Sequence, residues 1–340
     1  MANIVIRSDE ANAAATALTL AARNHSVCLL TLALAPGEHD FSYFGERRTL
    51  PLRRVEELDP SAPRVGIVFA EGEDIKAGIR SVVGSTSPDL LVIIGGGITA
   101  AVESTEAAQS LGFDVCRILL AGAFLVGGNA SAVRSEKQGV LAGFLAPGTP
   151  APVVELAEST FPQISIGDAF SVALSSVNAL FHLPPMILNA MSVERADDVR
   201  FYVEGFGDSV SRLLLELDAD RLRLGAALGR VLVPIEELND RYSGDADKHG
   251  TTLREKVNSP LSTQSIKLPS SFHHRFLAHE LRSTFAPMSE LADALGVDVP
   301  TIRSVVRLGE ILLGSELGPE ARAAAGKFLG LIDAKADSAR

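Results

Sequence analysis

Tryptophan is absent from the 340 residues and tyrosine occurs three times. Few ring platforms are therefore on offer for stacking bases or sugars. Cysteine is nearly absent too. Cys28 and Cys116 lie in apolar runs, which reads as two buried, reduced thiols and not a disulfide frame. No Cys/His spacing of a metal site occurs, and no metal is expected. Basic charge is short, with 31 Lys and Arg against 42 Asp and Glu and a net charge of −11. With no basic stripe to neutralise phosphates, a nucleic-acid partner is not expected. The opening Met1-Ala-Asn-Ile-Val-Ile-Arg7 reads as a strand, with no charged leader ahead of an apolar core, so no signal peptide is expected. The apolar runs read as broken by charge or glycine before about 18 residues, so no membrane span is expected. A cytoplasmic location follows by default.

What is present describes a globular enzyme-sized chain. Hydrophobic residues make up 46% and charged residues 21%, ordinary for a folded domain. The length exceeds what one hydrophobic core usually supports, so two domains are expected.

Residues 1–167 alternate apolar runs with helical segments. Ile4-Val-Ile6, Val27-Cys-Leu-Leu-Thr-Leu32, Val65-Gly-Ile-Val-Phe-Ala70, Leu90-Leu-Val-Ile-Ile94 and Ile118-Leu-Leu120 read as buried strands. Val153-Val-Glu-Leu156 and Ile164-Ser-Ile166 read as the continuation of the sheet. Residues 11–24 read as a helix that Asn24 stops. The pattern predicts an α/β, Rossmann-like domain with a parallel sheet. In such a domain the first strand–turn–helix holds a dinucleotide on three glycines, one for the tight turn, one for backbone approach to the pyrophosphate and one for close helix packing. Here those positions fall on Ser8, Glu10 and Ala13. The second strand should end in an acid for the ribose, and none comes before Glu38. A carboxylate at residue 10 opposes a pyrophosphate, so the expectation is that no cofactor binds, with NAD(P) through an unusual loop as the alternative. Gly95, Gly96 and Gly97 follow a strand and precede a helix, and could present N–H groups to an anion; a plain turn is the simpler reading. Gly127 and Gly128 are a weaker case of the same.

Residues 168–340 read as an all-α domain. Residues 209–228 show helical periodicity, with Leu213, Leu217, Leu224 and Leu228 on one stripe. Residues 241–268 read as a polar surface excursion. Residues 285–295 and 301–313 read as amphipathic helices, the second started by Pro300. The tail from Ala334 is expected to fray. Leu308, Leu312 and Leu313 could line a homodimer contact or the core.

The stretch Asn178-Ala-Leu-Phe-His-Leu-Pro-Pro-Met-Ile-Leu-Asn189 holds one histidine in an apolar run. Asn178 and His182 are four apart and share a helix face. Pro184 and Pro185 should break or kink the helix beside His182, which would let the ring face a cleft. A buried structural histidine is the plain alternative.

Together these residues resemble the octopine/nopaline (opine) dehydrogenase family. The resemblance rests on Asn178-x-x-x-His182-x-Pro-Pro-x-x-Leu-Asn189, Phe201-Tyr-Val-Glu-Gly205, Asp218-x-x-Arg221, His274-Arg-Phe-Leu-Ala-His-Glu280, Pro287-Met and Gly296-Val-x-x-Pro300. It is specific over residues 175–310 and generic over 1–165. It implies an enzyme that joins an amino acid's amine to a 2-oxo acid and reduces the imine with NAD(P)H. It implies His182 as general acid/base, with Glu280 holding the imidazole where the family has Asp, or His279 sharing that task. Arg275 and Arg282 become candidates for a substrate carboxylate, and Tyr202 for a hydrogen bond. With the glycine positions altered and the helical half intact, the expectation is redox-neutral chemistry on an amino-acid-derived imine or carbonyl compound. The NAD(P)H-dependent reaction and a non-catalytic binding protein are its competitors.

Overall fold

The computed structural model describes residues 1–8, 11–30, 34–43, 45–70, 74–126, 132–133, 135–242 and 249–338. Backbone contacts divide the chain into two compact units. One is Met1–Gly95 with Glu103–Ala169; the other is Gly96–Val102 with Phe170–Arg340.

The first unit is built on a sheet. Its strands are β1 (Asn3–Arg7), β2 (Ser26–Leu29), β3 (Gly37–Tyr43), β4 (Glu46–Leu52), β5 (Arg64–Phe69), β6 (Leu90–Ile94), β7 (Ile118–Ala121), β8 (Leu125–Val126), β9 (Ala132–Val133), β10 (Ser135–Glu136), β11 (Val140–Phe144) and β12 (Ile164–Asp168). The helices are α1 (Ala11–Ala22), α2 (Ile75–Thr86), α3 (Gly97–Leu111), whose residues to Val102 belong to the second unit, and α4 (Ala151–Thr160). Among the described residues, seven strands form one sheet in the order β12-β11-β7-β6-β5-β1-β2. It is parallel except where β11 meets β7. The apolar runs of β5 and β6 are buried along nearly their whole length, as strands covered on both faces must be. Ile4, Ile6, Leu18, Val27, Val65, Ile67, Leu90 and Val92 share one core. Asn24 closes α1 in the left-handed region, φ 65°, which asparagine tolerates better than most residues.

Several expectations are corrected here. Residues 153–156 are not strand but the middle of α4. Pro150 caps that helix and a second proline stands in its first turn, which favours a helix start over a strand. The pair β3–β4 forms a separate small sheet with β9, an excursion the apolar pattern did not reveal because most of its residues are exposed. Cys116 is half-buried, not buried; its thiol donates to the Pro147 carbonyl at 3.0 Å. Burial pushes the Cys28 thiol up to about 11. Glu10, Gly127 and Gly128 lie outside the described residues.

The second unit is helical: α5 (Ala169–Leu174), α6 (Val177–Leu188), α7 (Ala190–Glu194), α8 (Asp208–Ala227), α9 (Ile235–Tyr242), α10 (Leu253–Asn258), α11 (Ala278–Glu280), a π turn (Leu281–Phe285), α12 (Ala286–Leu295), α13 (Pro300–Leu313) and α14 (Gly318–Ser338). The stretch 169–188 carries no charge and is long and apolar enough to cross a membrane, contrary to the reading that such runs are interrupted. Its 18-residue window is 72% buried inside the protein, as a core segment would be. The tail is helical to Ser338. On α8 the buried stripe runs through Leu214, Leu217 and Leu224, while Leu213 and Leu228 are only half-buried. Leu313 belongs to the core, whereas Leu308 is 47% exposed.

Buried charge organises α8. Arg221 is 1% exposed. Its guanidinium donates to Asp218 Oδ1 at 2.8 Å, to Ser175 Oγ at 2.9 Å and to the Val233 carbonyl at 2.6 Å. The other Asp218 oxygen accepts from the Ile235 N–H at 2.9 Å. Two turns are thereby fastened to α8. Burial lowers the affinity of Arg221 for its proton and the Asp218 charge opposes that. Asp220, 0% exposed, accepts from the N–H groups of Thr301 and Ile302 at 2.8 and 2.9 Å. The first turn of α13 has no capping side chain of its own, so α8 supplies the acceptor that its orphan donors need.

Candidate active site

α6 carries the histidine. Its residues Ala179 to Ile187 are all buried. The proline pair does not break it: Pro184 and Pro185 lie inside the helix. Each proline removes a donor and crowds the preceding turn, at about 3 kcal/mol. Here both stand in the last turn before the end, and burial of the whole segment outweighs them. The end is closed by Asn189, whose backbone N–H and side-chain amide both donate to the Pro185 carbonyl. The same amide donates to the Gly205 carbonyl at 2.9 Å. Asn189 thus ties α6 to the turn after Phe201, a role the sequence motif did not disclose.

His182 is 5% exposed and does not sit at a helix discontinuity, so the expected solvent-facing ring is corrected to an enclosed one. Its Nδ1 lies 2.8 Å from Glu280 Oε1, and Glu280 is 2% exposed. With the carboxylate accepting, Nδ1 carries the hydrogen, and proton exchange with any other group falls to Nε2. Phe276 stacks on the imidazole with centroids 3.8 Å apart and planes 19° apart. Phe201 presents its edge to the imidazole at 6.1 Å. The ring is therefore held in direction by the carboxylate and in plane by two phenyl groups.

Glu280 ends α11 and leads into the π turn. A π turn inserts a residue into the helical ladder and re-aims the side chains beside it, a device frequent at functional sites. This one is packed from two directions. A Cβ on Gly97 would overlap the Thr284 hydroxyl oxygen and come within 2.8 Å of the Ser283 carbonyl oxygen. A Cβ on Gly309 of α13 would overlap the Leu281 side chain. Gly97 also has φ +57°, following Gly95 at +83° and Gly96 at +88°. The three glycines thus form a fixed left-handed turn, and Gly97 is used for close packing against the π turn. Gly97→Ala is expected to destabilise the protein by about 1–3 kcal/mol. A thermal melt unchanged by this substitution would contradict the contact.

The remaining sequence candidates distribute unevenly. Arg275 is half-buried with its guanidinium carbon 5.2 Å from the Phe276 centroid. Tyr202 is half-buried, its ring edge-on to Phe201 at 4.8 Å. Asn178 lies one turn before His182 and is half-buried; so is His279, beside Glu280. Arg282 is exposed on the π turn. Phe276 was not singled out from sequence, although its place directly after Arg275 in the quoted run is the signal that could have found it. A depression of about 380 Å³ at the end of α6 is lined by Asn189, Glu204, Gly205, Asp208 and Arg212, among others, and does not include His182.

In the first unit, two of the three glycine positions are described. Ser8 and Ala13 are each 0% exposed. Alanine is a normal occupant of the third position, where close packing of helix on strand is the requirement. Ala13 is therefore compatible with a dinucleotide at this turn, contrary to the expectation. Ser8 is small and packed, and α1 follows with its N-terminus at Ala11. At the carboxyl end of β1, Arg7 donates to the Leu30 carbonyl at 3.1 Å. This cation stands where a parallel sheet's strand order turns, between β2 and β5, the place at which such sheets take ligands. The described residues thus fit an anionic dinucleotide.

Residues 165–313 match the family described as NAD/NADP octopine/nopaline dehydrogenase, alpha-helical domain. An opine dehydrogenase of Arthrobacter sp. (strain 1C) is 26% identical over 165 residues, covering 48% of this chain and 45% of that protein. The chain thus matches less than half the length of that relative. A solved structure of yersinopine dehydrogenase without ligand superposes with a TM-score of 0.74 at 10% identity, covering 98% of this chain and 99% of the other. Its NADP+-bound form gives 0.70 at 11%, covering 97% and 99%. Octopine dehydrogenase in complex with NADH and agmatine gives 0.69 at 14%, covering 98% and 97%. The expectation of a chain without a nicotinamide cofactor does not stand against these relatives. They share its fold, and two of the structures hold NADP+ or NADH.

Proposed function

Because the chain belongs, through its helical residues 165–313, to the octopine/nopaline dehydrogenase family, we propose that it is a nicotinamide-dependent reductase that joins an amino acid's amine to a 2-oxo acid. The observation that carries the reading is the enclosed His182–Glu280 pair within the matched residues. An ionisable pair is costly to bury. Its place on the family's own motif supports a catalytic use for it.

Reduced nicotinamide, when bound, supplies the hydride that turns an imine carbon into a secondary amine. The first unit would hold it, with Ala13 allowing α1 close to the sheet and Arg7 at the carboxyl end of β1. The chain's own residues handle the protons. Addition of the amine to the carbonyl gives a carbinolamine, whose hydroxyl must leave as water. His182 holds the proton for that departure at Nε2, while Glu280 fixes the opposite tautomeric site. Two flanking phenyl rings keep the imidazole in one plane, so the proton is delivered in one direction. Arg275, steadied over Phe276, is the candidate for a substrate carboxylate, since a guanidinium takes a carboxylate through two parallel hydrogen bonds. Arg282, exposed on the π turn, is the weaker candidate.

Titration of the purified protein with NADH and NADPH, followed by nicotinamide fluorescence, tests the cofactor half of this reading. Saturable binding, with oxidation on adding both an amino acid and pyruvate but neither alone, is expected. A protein that binds neither nucleotide contradicts it.

A further inference from the structure

We infer that Arg7 selects the phosphorylated cofactor, so that the protein prefers NADPH to NADH; this rests on the nicotinamide reading above. Two observations converge. The first is a missing acid. A sheet of this kind recognises the ribose of NADH by a carboxylate at the carboxyl end of the second strand, which accepts hydrogen bonds from the ribose hydroxyls and repels a 2′-phosphate. Here β2 ends at Leu29, and Leu30 to Gly37 contains no acidic residue. The first acid, Glu38, is exposed on β3 and paired into the hairpin with β4. Residues 30–37 therefore supply no carboxylate to accept from a bare ribose or to repel a 2′-phosphate.

The second observation is a cation in the same place. β1 and β2 run parallel with Ile6 opposite Leu29, so Arg7 and Leu30 are the next residues along, side by side at the carboxyl ends. The Arg7 guanidinium donates to the Leu30 carbonyl at 3.1 Å. That bond anchors the side chain across the end of β2, where the ribose acid would stand. Arg7 is half-buried, so its field is less screened than that of a surface arginine. A planar guanidinium is suited to a phosphate dianion and has no acceptor to offer a 2′-hydroxyl. Relative to an NADH-type site, residues 30–37 carry no carboxylate and a cation is held at the end of β2.

Binding constants test this without reference to turnover. Dissociation constants for NADPH, NADH, 2′,5′-ADP and 5′-AMP are measured by calorimetry on the full chain and on Arg7→Gln and Arg7→Lys. The glutamine amide can keep a hydrogen bond to Leu30 while the charge is lost; lysine keeps the charge. For the wild type, NADPH is expected to bind at least about tenfold more tightly than NADH, and 2′,5′-ADP more tightly than 5′-AMP by a similar factor, the worth of one charge-assisted contact. Arg7→Gln is expected to remove the preference by weakening NADPH alone, and Arg7→Lys to retain part of it. Equal or tighter binding of NADH by the wild type overturns the inference and leaves the nicotinamide reading in place. An Arg7→Gln variant in which both nucleotides weaken alike overturns it too, since Arg7 would then be holding the strand ends and not the phosphate. Binding of neither nucleotide overturns both.

Discussion

His182→Asn is expected to lower kcat by about 10²–10⁴-fold, the usual worth of a positioned general acid or base. Asparagine is close in size and polar, but its amide does not titrate near neutral pH and so cannot act as the general acid for the leaving hydroxyl. The loss should fall on kcat, with KM for the amino acid changed little. The nucleotide dissociation constants are expected to change little, because the substitution leaves Arg7 and Ala13 in place. Glu280→Gln separates tautomer control from proton transfer. A glutamine keeps a hydrogen bond to Nδ1, yet its amide can donate as well as accept, so the imidazole is no longer held as the Nδ1–H form. A fall of about 10²-fold or more in kcat is expected, with the fold intact by circular dichroism. If His182→Asn kept its turnover, the buried pair would be structural and the proposed mechanism would fail.

Arg221→Ala is expected to destabilise the protein by about 3–5 kcal/mol, the range for breaking a buried ion pair from one side. The guanidinium is 1% exposed and satisfies three acceptors from three places, Asp218, Ser175 and Val233. Its removal strands the Asp218 carboxylate with the Ile235 N–H as its remaining described donor. Urea unfolding measures the loss as a shift of midpoint. Replacing both partners by apolar residues, Arg221→Met with Asp218→Leu, should recover part of it. A single variant as stable as wild type would contradict the burial.

What could be read from the sequence followed from local pattern. Leu90-Leu-Val-Ile-Ile94 could only be a strand buried on both faces, and it is. Pro300 before an amphipathic run could only start a helix, and α13 begins there. The same local rules failed where a second influence outweighed them. Val153-Val-Glu-Leu156 has strand-like residues, but the prolines ahead of it begin a helix. Pro184 and Pro185 should have ended α6, but a segment buried through Ile187 keeps its helix. The carbonyl that closes its end is satisfied by Asn189. His182 and Glu280 are 98 residues apart, so no spacing rule could pair them; the family resemblance did. Phe276 escaped notice because a phenylalanine in an apolar neighbourhood is ordinarily core. The error about the cofactor had a different source. Glu10 at a glycine position and the missing ribose acid both argued against a dinucleotide, whereas Ala13 suits its position and Arg7 places a cation at the end of β1.

The central claim is that this chain reduces an imine made from an amine and a 2-oxo acid, with protons managed by His182. It is tested most directly by incubating a panel of amino acids and pyruvate with NADPH, NADH and the purified protein. Nucleotide oxidation is followed by absorbance and the products are identified by mass spectrometry. One secondary-amine dicarboxylate formed per nucleotide oxidised, at a rate lowered by about 10²-fold or more in His182→Asn, is the predicted result. Nucleotide that stays reduced with every pair, or product formed without any nucleotide consumed, would contradict the account.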